Sequence, residues 1–229
     1  MNKFYAVKKG AKPGIYHSWN EAQPQVKGFK GAIFKSFATQ EEAENFMNAL
    51  SSTFVDKSKL NLDDFDVVVH TDGGCRNHGN KKDDHVHEDD PAAWAYLIEG
   101  KKFGAMHDSD GKWGKTNNYM ELTAVKKALL RLTDEKLNHL KIVFVCDSKY
   151  ALRISDVSWL KPRLASDLEF PNRNIWQELN DILDENFDNN ITWSWVHGHA
   201  GEKGNEFVDH LLNETMDKME AERDKKDKD

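Results

Sequence analysis

The sequence is poor in cysteine and proline and has no long hydrophobic run. Its 229 residues include two cysteines, Cys75 and Cys146, and five prolines. Two cysteines cannot build a disulfide framework and suit a reducing compartment, so we expect a cytoplasmic protein. No stretch approaches the roughly 20 apolar residues of a membrane-spanning helix, and the first residues lack the apolar run of a signal peptide. Secreted disulfide-rich domains and membrane proteins are therefore excluded.

Aromatic and charged residues, in contrast, are abundant. Hydrophobic residues make up 38% of the chain, which contains seven tryptophans and twelve phenylalanines, enough to bury a core. The net charge of −7 is unevenly distributed, because the first 40 residues contain seven lysines and one acidic residue, Glu21. A basic head on an acidic body indicates an appended nucleic-acid-binding module, although a solvated charged face would have the same composition.

Residues 1–50 are predicted to form a small α+β domain, and residues 51–64 a linker. Short strands rich in aromatic and β-branched residues are expected at 4–7, 15–19 and 32–37. Thr39 and Glu42 have the spacing of a capping box, which predicts that a helix begins there.

Residues 65–216 are predicted to form a second, α/β domain, and the charged residues 217–229 a disordered tail. Strands are expected at 66–71, 93–98, 102–107, 141–146 and 191–196, and helices at 118–132, from 148, at 174–187 and at 205–219. The continuous apolar run at 141–146 indicates a central strand that is covered on both faces. Three antiparallel strands followed by alternating helices and strands imply a mixed five-stranded sheet flanked by helices.

Four acidic residues fall at the ends of predicted elements, namely Asp72, Glu121, Asp147 and Asp209. Asp72 and Asp147 follow strands that we expect to be parallel neighbours, which would place both carboxylates at one edge of the sheet. Converging carboxylates suit Mg²⁺ or Mn²⁺, and two such ions can promote phosphodiester hydrolysis. Each aspartate taken singly could equally be a turn or helix-cap residue, which is the commoner role.

The motifs that contain these carboxylates resemble, in order, those of type 1 ribonuclease H. They are residues 71–75 (TDGGC), 116–122 (TNNYMEL), 146–150 (CDSKY) and 197–201 (HGHAG), the last leading to 205–209 (NEFVD). The resemblance runs from about Asp66 to Glu214, and four motifs in the correct order are far more specific than one. It implies a ribonuclease H-like fold and endonucleolytic cleavage of the RNA strand of an RNA–DNA hybrid. The expected products carry 5′-phosphate and 3′-hydroxyl ends, and the expected cofactors are two Mg²⁺ ions, which Mn²⁺ can replace.

The resemblance also implies roles for individual residues of the catalytic machinery. The metal-binding carboxylates of the family are matched by Asp72, Glu121, Asp147 and Asp209. His199 matches a histidine that assists proton transfer or product departure. Glu206 matches an acidic residue near the metal site.

Three further residues match positions of the family that contact substrate. Asn117 and Asn118 correspond to residues that hold the hybrid through its minor groove, and Thr116 to a contact with a DNA phosphate. An A-like minor groove displays 2′-hydroxyl groups, which small amide side chains can read without base specificity.

The N-terminal residues resemble the hybrid-binding domain found ahead of many type 1 ribonucleases H. Tyr5, Trp19 and Phe34 match its aromatic positions, which pack on sugars of the DNA strand, and Lys35 matches a phosphate contact. The family often has a second basic residue next, where this chain has Ser36, and this should soften the salt dependence of binding. The aromatic residues could instead form the core of a small domain, and this alternative is most serious for Phe34.

Histidine-containing segments allow less specific interpretations. His197 and His199 could form half of a zinc site, but no cysteine pair or third histidine lies at ligand spacing. Residues 77–91 form a longer loop than is usual in the family, with His85 and His87 among five acidic residues. This loop could bind a divalent ion weakly, although a solvated loop is favoured.

The two cysteines and residues 159–173 could also have functional roles. Cys75 and Cys146 flank predicted catalytic carboxylates, and a redox switch is conceivable, but small buried residues fit a reducing compartment better. Residues 159–173 occupy the place where some family members carry a basic protrusion that grips substrate. Their charge is nearly balanced, so we expect the N-terminal domain to provide most of the grip.

We therefore expect a monomeric, metal-dependent hydrolase that binds an RNA–DNA hybrid and has no membrane association. One alternative is a protein that binds hybrids without cutting them, but binding alone needs no concentration of negative charge beside phosphates. Another is a different nuclease of the same fold, such as a transposase or resolvase. Those enzymes would need further domains that 229 residues do not provide.

Overall fold

The computed structural model describes residues 3–30, 32–48, 54–77, 86–167, 169–197 and 201–226. The chain divides into two compact units. The first consists of Met1–Thr53 with Asp156–Pro162, and the second of Phe54–Ser155 with Arg163–Asp229. Within the described ranges, no helix is both long enough and apolar enough to cross a membrane.

Within the first unit, the described residues up to Asn48 form a three-stranded antiparallel sheet and two helices. Its elements are β1 (Phe4–Lys9), β2 (Gly14–Tyr16), α1 (Trp19–Val26), β3 (Ile33–Phe37) and α2 (Gln40–Asn48). The strands lie in the order β2-β1-β3. Val7 of β1 packs with Ala22 and Val26 of α1 to form a small buried core.

The strand predicted at 15–19 is wrong beyond Tyr16, because α1 begins at Trp19. The Ser18 hydroxyl accepts the backbone N–H of Glu21 at 3.4 Å and caps the helix. Caps of this kind satisfy N–H groups that the first turn of a helix leaves unpaired. The sequence did not reveal this helix because Pro24 lies inside α1, and proline normally interrupts a helical pattern.

The capping box predicted at Thr39 is confirmed. The Thr39 hydroxyl accepts the N–H of Glu42 at 3.2 Å, and the Glu42 carboxylate accepts the N–H of Thr39 at 3.2 Å. Helix α2 accordingly begins at Gln40.

The second unit is built on a six-stranded mixed sheet. Its strands are β4 (Phe54–Asp56), β5 (Val67–Cys75), β6 (Pro91–Gly100), β7 (Gly104–Trp113), β8 (Ile142–Cys146) and β9 (Ile191–Trp195). In the order β4-β9-β8-β5-β6-β7, strand β6 is antiparallel to both neighbours and the other pairs are parallel. The five predicted strands are all present, and every residue of β8 is buried, as expected of a central strand.

Helices cover both faces of this sheet, as predicted. The second unit contains α3 (Asn117–Asp134), α5 (Arg173–Asn186) and α6 (Lys203–Lys226), whereas most of α4 (Val157–Leu164) belongs to the first unit. Gly73 of β5 faces the backbone of α3, and Gly74 faces Leu212 of α6. Because successive residues of a strand point to opposite faces, α3 and α6 lie on opposite sides of the sheet.

The linker predicted over 51–64 is too long, because the second unit begins at Phe54. Strand β4 pairs in parallel with β9 and forms the edge of the sheet. Leu60 and Leu62 pack against a buried cluster around Phe65. The sequence did not reveal this attachment, because it depends on a few apolar residues among polar ones and they form no periodic pattern.

The tail predicted to be disordered over 217–229 is helical as far as Lys226, because α6 continues through it. Arg76 binds two of its carboxylates, Asp217 Oδ1 at 2.6 Å and Glu220 Oε2 at 2.8 Å. The composition of the tail did not reveal this order, since the stabilising arginine is far away in the sequence.

Leu212→Ala should destabilise the protein, because Leu212 is buried with Val208, Met216 and Ala93 between α6 and the sheet. The expected loss is about 2–5 kcal/mol, as for other buried leucines. Leu130→Ala is the matched control, since Leu130 is 39% exposed and its truncation should cost about 0.5 kcal/mol. Urea unfolding followed by circular dichroism measures both. Equal losses would contradict this description of the core.

Candidate active site

Strands β5 and β8 bring two of the predicted carboxylates to the same end of the sheet. The strands are parallel neighbours, as predicted, with His70 opposite Val145. Asp72 lies two residues after His70 on β5, and Asp147 directly follows β8. Asp72 therefore extends from paired strand backbone, and Asp147 from the residue directly after a paired strand.

Glu121 is brought toward Asp72 by a close approach of α3 to β5 at Gly73. A Cβ atom placed on Gly73 would lie 2.2 Å from the backbone nitrogen of Glu121 and 2.3 Å from the carbonyl carbon of Met120. Real Cβ atoms essentially never come within 3.0 Å of another heavy atom, so any side chain here would push α3 away. The glycine after Asp72 thus sets the distance between the strand and the helix that carries Glu121.

Helix α6 approaches the opposite face of β5 at Gly74. A Cβ atom placed on Gly74 would lie 3.0 Å from Leu212 Cδ1, and Leu212 is buried. Asp209 lies about one turn before Leu212 in α6. Its negative charge is close enough to raise the pKa of Asp72, so this packing adds a further carboxylate to the group.

The electrostatics of Asp72 show how closely the four carboxylates are grouped. Burial contributes most to raising the pKa of the Asp72 carboxyl, followed by the negative charge of Asp147. The N–H of Gly73, which donates to Asp72 Oδ1 at 2.7 Å, lowers this pKa, while Asp209 and Glu121 raise it. The resulting pKa is about 8, against about 3.9 for an unperturbed aspartate. Burial and the three neighbouring carboxylates therefore all disfavour the ionised form of Asp72.

Glu121 is oriented by two hydrogen bonds. The Asn117 amide donates to Oε1 at 2.8 Å, and the Ser148 hydroxyl donates to Oε2. Burial raises the pKa of Glu121, the Ser148 hydrogen bond lowers it, and the charge of Asp147 raises it. Ser148 was missed as a site residue, and its only signal in the sequence was its position directly after Asp147.

The donor chemistry of the group fits a hard divalent cation. Carboxylate oxygens are preferred ligands of Mg²⁺ and Mn²⁺, and a cation would offset the repulsion that raises the pKa of Asp72. Among the residues that the structure describes, no three His, Cys, Asp or Glu side chains are already drawn together as a metal-binding cluster. The carboxylates are therefore grouped electrostatically without forming one compact ligand set.

Trp195 holds the backbone of Asp147 and contacts two basic side chains. Its indole N–H donates to the carbonyl oxygen of Asp147 at 3.0 Å. Lys149 Nζ lies 4.0 Å from the Trp195 ring centroid, and the centroid of the His197 ring lies 4.2 Å from it. Neither Trp195 nor Lys149 was predicted, although Lys149 belongs to the motif around Asp147. His197, considered above as half of a zinc site, contacts this tryptophan with its ring tilted by 58°.

The start of α6 is fixed to the strand that carries Asp72. Glu202 Oε2 accepts the N–H of Asn205 at 2.8 Å and lies 3.3 Å from Nδ1 of the buried His70. The His70 ring also fills the space beside Gly204, where a Cβ atom would lie 2.4 Å from it. This contact ties the end of the loop before α6 to β5.

The remaining predicted residues of the second unit lie at helix starts or outside the described residues. His199 is among the latter. Glu206 is exposed in the first turn of α6. The Thr116 hydroxyl caps α3 by accepting the N–H of Tyr119 at 3.2 Å, and Asn118 is exposed in the first turn of that helix.

The predicted aromatic residues of the first unit form a contiguous series of tilted ring contacts, the aromatic stack. The ring centroids of Tyr5 and Trp19 are 5.6 Å apart, as are those of Trp19 and Phe34. Trp19 is 37% exposed and Phe34 44%, whereas Tyr5 packs against the small core. The alternative of a purely structural role therefore applies only to Tyr5. Lys35, next to Phe34 in β3, points to the other face, and its Nζ lies 5.4 Å from the Phe37 ring centroid.

Both cysteines are free thiols in unreactive surroundings. Cys146 is buried and Cys75 partly buried. Burial raises the pKa of the Cys75 thiol to about 11 and raises that of Cys146 as well. Since the thiolate is the reactive form, these surroundings favour a structural role over a redox switch.

Part of the long loop at 77–91 is described, namely residue 77 and residues 86–91. Asp90 is fully buried and accepts the N–H of His87 at 2.8 Å. A buried carboxylate thus fixes the end of the loop that leads into β6. His85 lies outside the described residues.

Two family models match the chain, one for each unit. The model described as RNase H matches residues 64–217, and the model described as Ribonuclease H1 N-terminal domain matches residues 3–47. The ribonuclease H of Ruthia magnifica subsp. Calyptogena magnifica is 36% identical over 165 residues, which are 67% of this chain and 97% of that protein. The ribonuclease H of Hydrogenovibrio crunogenus is 32% identical over 161 residues, again 67% of this chain and 97% of that protein.

Solved structures share the fold at lower identity. LC9-RNase H1, described as a type 1 RNase H with the type 2 active-site motif, is 24% identical with a TM-score of 0.52, covering 66% of this chain and 71% of that one. The PFV RNase H domain is 16% identical with a TM-score of 0.52, covering 66% of this chain and 94% of that one. At these identities the likeness concerns the fold alone.

Asp72→Asn should stabilise the protein at alkaline pH when divalent cations are chelated. The pKa of the Asp72 carboxyl is raised in the folded state to about 8, so stability is lost as the pH rises from about 3.9 through that value. The variant lacks this loss, and its free energy of unfolding should exceed that of the parent by roughly 1–3 kcal/mol at pH 9. At pH 4 the difference should nearly vanish. Chemical denaturation in EDTA at both pH values measures it.

The control is Asp188→Asn, which changes an exposed carboxylate outside the group. It should alter stability by about 0.5 kcal/mol or less at either pH. An Asp72→Asn protein no more stable than its parent at pH 9 would show that the carboxylates are not grouped as described.

Proposed function

The chain belongs to the ribonuclease H family, and we propose that it is an endoribonuclease that hydrolyses the RNA strand of RNA–DNA hybrids. The proposal includes products with 5′-phosphate and 3′-hydroxyl ends and two Mg²⁺ ions, for which Mn²⁺ can substitute. It also includes action as a monomer in a reducing cytoplasm, which both free cysteines suit. The observation that carries the proposal is the placement of Asp72 and Asp147 at the same end of parallel neighbouring strands, beside the close approach of the helix that carries Glu121.

The residues that would hold the ions are Asp72, Glu121, Asp147 and Asp209. When bound, such ions activate a water molecule and stabilise the leaving oxygen of a phosphodiester. The other side chains set the geometry of these ligands. Asn117 and Ser148 each donate to one oxygen of Glu121, and Trp195 holds the carbonyl group of Asp147.

We assign proton transfer or product departure to His199 and a supporting acidic role to Glu206. The described residues on either side of His199 are held in place, His197 by contact with the Trp195 ring and Glu202 by accepting the N–H of Asn205. An imidazole is suited to this task because its ordinary pKa lies near neutrality.

Affinity for the hybrid must come mainly from residues away from the carboxylates, because grouped negative charge repels phosphates. We assign this role in the first unit to its lysines and its aromatic stack, with Tyr5, Trp19, Phe34 and Lys35 as the contacts. In the second unit, Thr116, Asn117 and Asn118 are proposed to contact the phosphate and the minor groove. All three lie at the start of α3, beside Glu121.

The segment at 159–173 contributes little to this grip. Arg173, one of its cations, donates to the backbone carbonyl oxygens of Arg163 at 2.9 Å and Leu164 at 2.7 Å. Its guanidinium therefore supports the local fold, which agrees with the balanced charge of the segment.

A cleavage assay distinguishes the proposed nuclease from a protein that binds hybrids without cutting them. A labelled RNA–DNA hybrid is incubated with the protein in Mg²⁺ or EDTA, beside matched double-stranded DNA and double-stranded RNA. We expect cleavage of the RNA strand of the hybrid in Mg²⁺ alone. Binding without cleavage in Mg²⁺ would establish the alternative.

Asp147→Asn should abolish cutting while leaving the fold intact. The substitution keeps the shape of the side chain but removes the charge of a hard-cation ligand, so cleavage should fall by a factor of about 10³ or more. Hybrid affinity in EDTA should hold or rise slightly, because one negative charge facing the phosphates is lost. Single-turnover cleavage and fluorescence-anisotropy binding measure the two effects.

The matched control is Asp181→Asn on α5, where the exposed carboxylate accepts a hydrogen bond from Gln177 at 2.8 Å. Its cutting should equal that of the parent. If Asp147 were only a helix cap, asparagine would replace it well. Cleavage by a folded Asp147→Asn protein within a few-fold of the parent would therefore overturn its catalytic assignment.

Trp19→Ala should weaken hybrid binding without changing the chemical step. Loss of one exposed aromatic contact is expected to raise the Kd roughly tenfold, which corresponds to about 1.4 kcal/mol. The rate of single-turnover cutting at saturating protein should remain that of the parent. Phe29→Ala removes an aromatic side chain of the same unit with 40% exposure and should leave the Kd unchanged. Equal effects of both variants would argue against a specific role for the stack.

A further inference from the structure

We propose that Asn213 and Arg76 are positioning residues for the Asp209 carboxylate, and that the extension of α6 over residues 217–226 holds Arg76 in place for this task. The inference rests on the proposed function, in which Asp209 is a metal ligand. It assigns a role in metal binding to a helical extension that mostly lies beyond the residues matched by the family model.

Asn213 lies one helical turn after Asp209 and contacts it directly. Its Nδ2 group donates to the Asp209 backbone oxygen at 2.8 Å and to Asp209 Oδ1 at 3.2 Å. A donor bound to Oδ1 restricts the rotamers of Asp209. Since a carboxylate has about four lone-pair positions, the bond still leaves acceptor capacity for a cation.

Arg76 fixes the orientation of the Asn213 amide. Its Nη2 group donates to Asn213 Oδ1 at 3.2 Å and to the Asn213 backbone oxygen at 3.1 Å. If the amide were reversed, its NH₂ group would face the guanidinium and its oxygen would face the Asp209 carboxylate. Both contacts would be repulsive, because arginine has only donors and an ionised carboxylate only acceptors. The arginine thus directs the donor side of the amide to Asp209.

The extension of α6 holds the other edge of the guanidinium. Arg76 Nη1 donates to Asp217 Oδ1 at 2.6 Å and to Glu220 Oε2 at 2.8 Å. A planar guanidinium can serve both groups at once, because its donors point in fixed and different directions. A lysine could keep an ion pair with the extension, but its single nitrogen could not also maintain both contacts with Asn213.

Asn213→Leu and Arg76→Lys should therefore weaken metal binding more than they weaken the fold. We expect each to raise the Kd for Mn²⁺, measured without nucleic acid by electron paramagnetic resonance, about tenfold, as substitutions behind metal ligands commonly do. The Mg²⁺ concentration for half-maximal cutting should rise in parallel. The KM for the hybrid at saturating Mg²⁺ should stay within twofold of the parent.

Two matched controls separate positioning from general support of the helices. Arg223→Lys weakens another contact of the same extension. Arg223 donates to the Asp89 carbonyl oxygen at 3.0 Å, and its Cζ lies 4.6 Å from the Trp113 ring centroid. Asn180→Leu removes a comparable Asn–Asp pair on α5, in which Asn180 donates to Asp184 Oδ2 at 3.1 Å. Both should bind Mn²⁺ within twofold of the parent.

Thermal unfolding in EDTA completes the test, because it shows which variants are folded. The proposal is overturned if Arg76→Lys and Arg223→Lys lose similar thermal stability and Arg76→Lys loses no more Mn²⁺ affinity. Arg76 would then only stabilise the fold. A folded Asn213→Leu with the Mn²⁺ affinity of the parent would also overturn the proposal. The Asp147→Asn variant separates a failure of the present inference from a failure of the proposed function. If it loses Mn²⁺ binding and cutting while both positioning variants retain them, only the present inference fails. If it retains both, the proposed function fails.

Discussion

The arrangement of the active site depends on the close approach of two helices to strand β5. At Gly73 the backbone of α3 occupies the space where a Cβ atom would lie, and at Gly74 a Cβ atom would lie 3.0 Å from Leu212 Cδ1, which is a tight contact. Each missing side chain brings one helix, and with it one carboxylate, toward Asp72. Because folded interiors are close-packed and deform little, a methyl group at Gly73 would widen the site instead of being absorbed elsewhere.

This close packing has an electrostatic cost that neighbouring amides partly offset. Burial and three nearby charges raise the pKa of Asp72 to about 8. Glu121 and Asp209 each accept a hydrogen bond from an asparagine one turn away on the same helix, Asn117 in α3 and Asn213 in α6. A neutral amide orients a carboxylate without cancelling its charge, which stays available to a cation. The same device therefore recurs on both helices that approach β5.

Charge is divided between the two units in a way that suits a nuclease. The first 40 residues are strongly basic, so the rest of the chain is even more acidic than the total of −7 indicates. Grouped carboxylates are needed to hold divalent cations but repel the phosphates of a substrate. In the proposed function, the lysines and exposed aromatic side chains among the first 40 residues supply the attraction that the acidic remainder of the chain lacks. Because metal binding and phosphate binding are separated, the carboxylates can stay acidic and the phosphate-binding surface can stay basic.

The sequence by itself determined whatever has a local signature. The apolar run of β8, the capping box at Thr39 and the order of the four motifs were all read correctly from neighbouring residues. Tertiary structure alone decided the attachment of β4 to the sheet, the order of the extended α6 and the contact of Arg76 with Asn213. The last pair is separated by 137 positions in the chain. No local pattern marks such partners, because their stabilisation arises only when folding brings distant segments together.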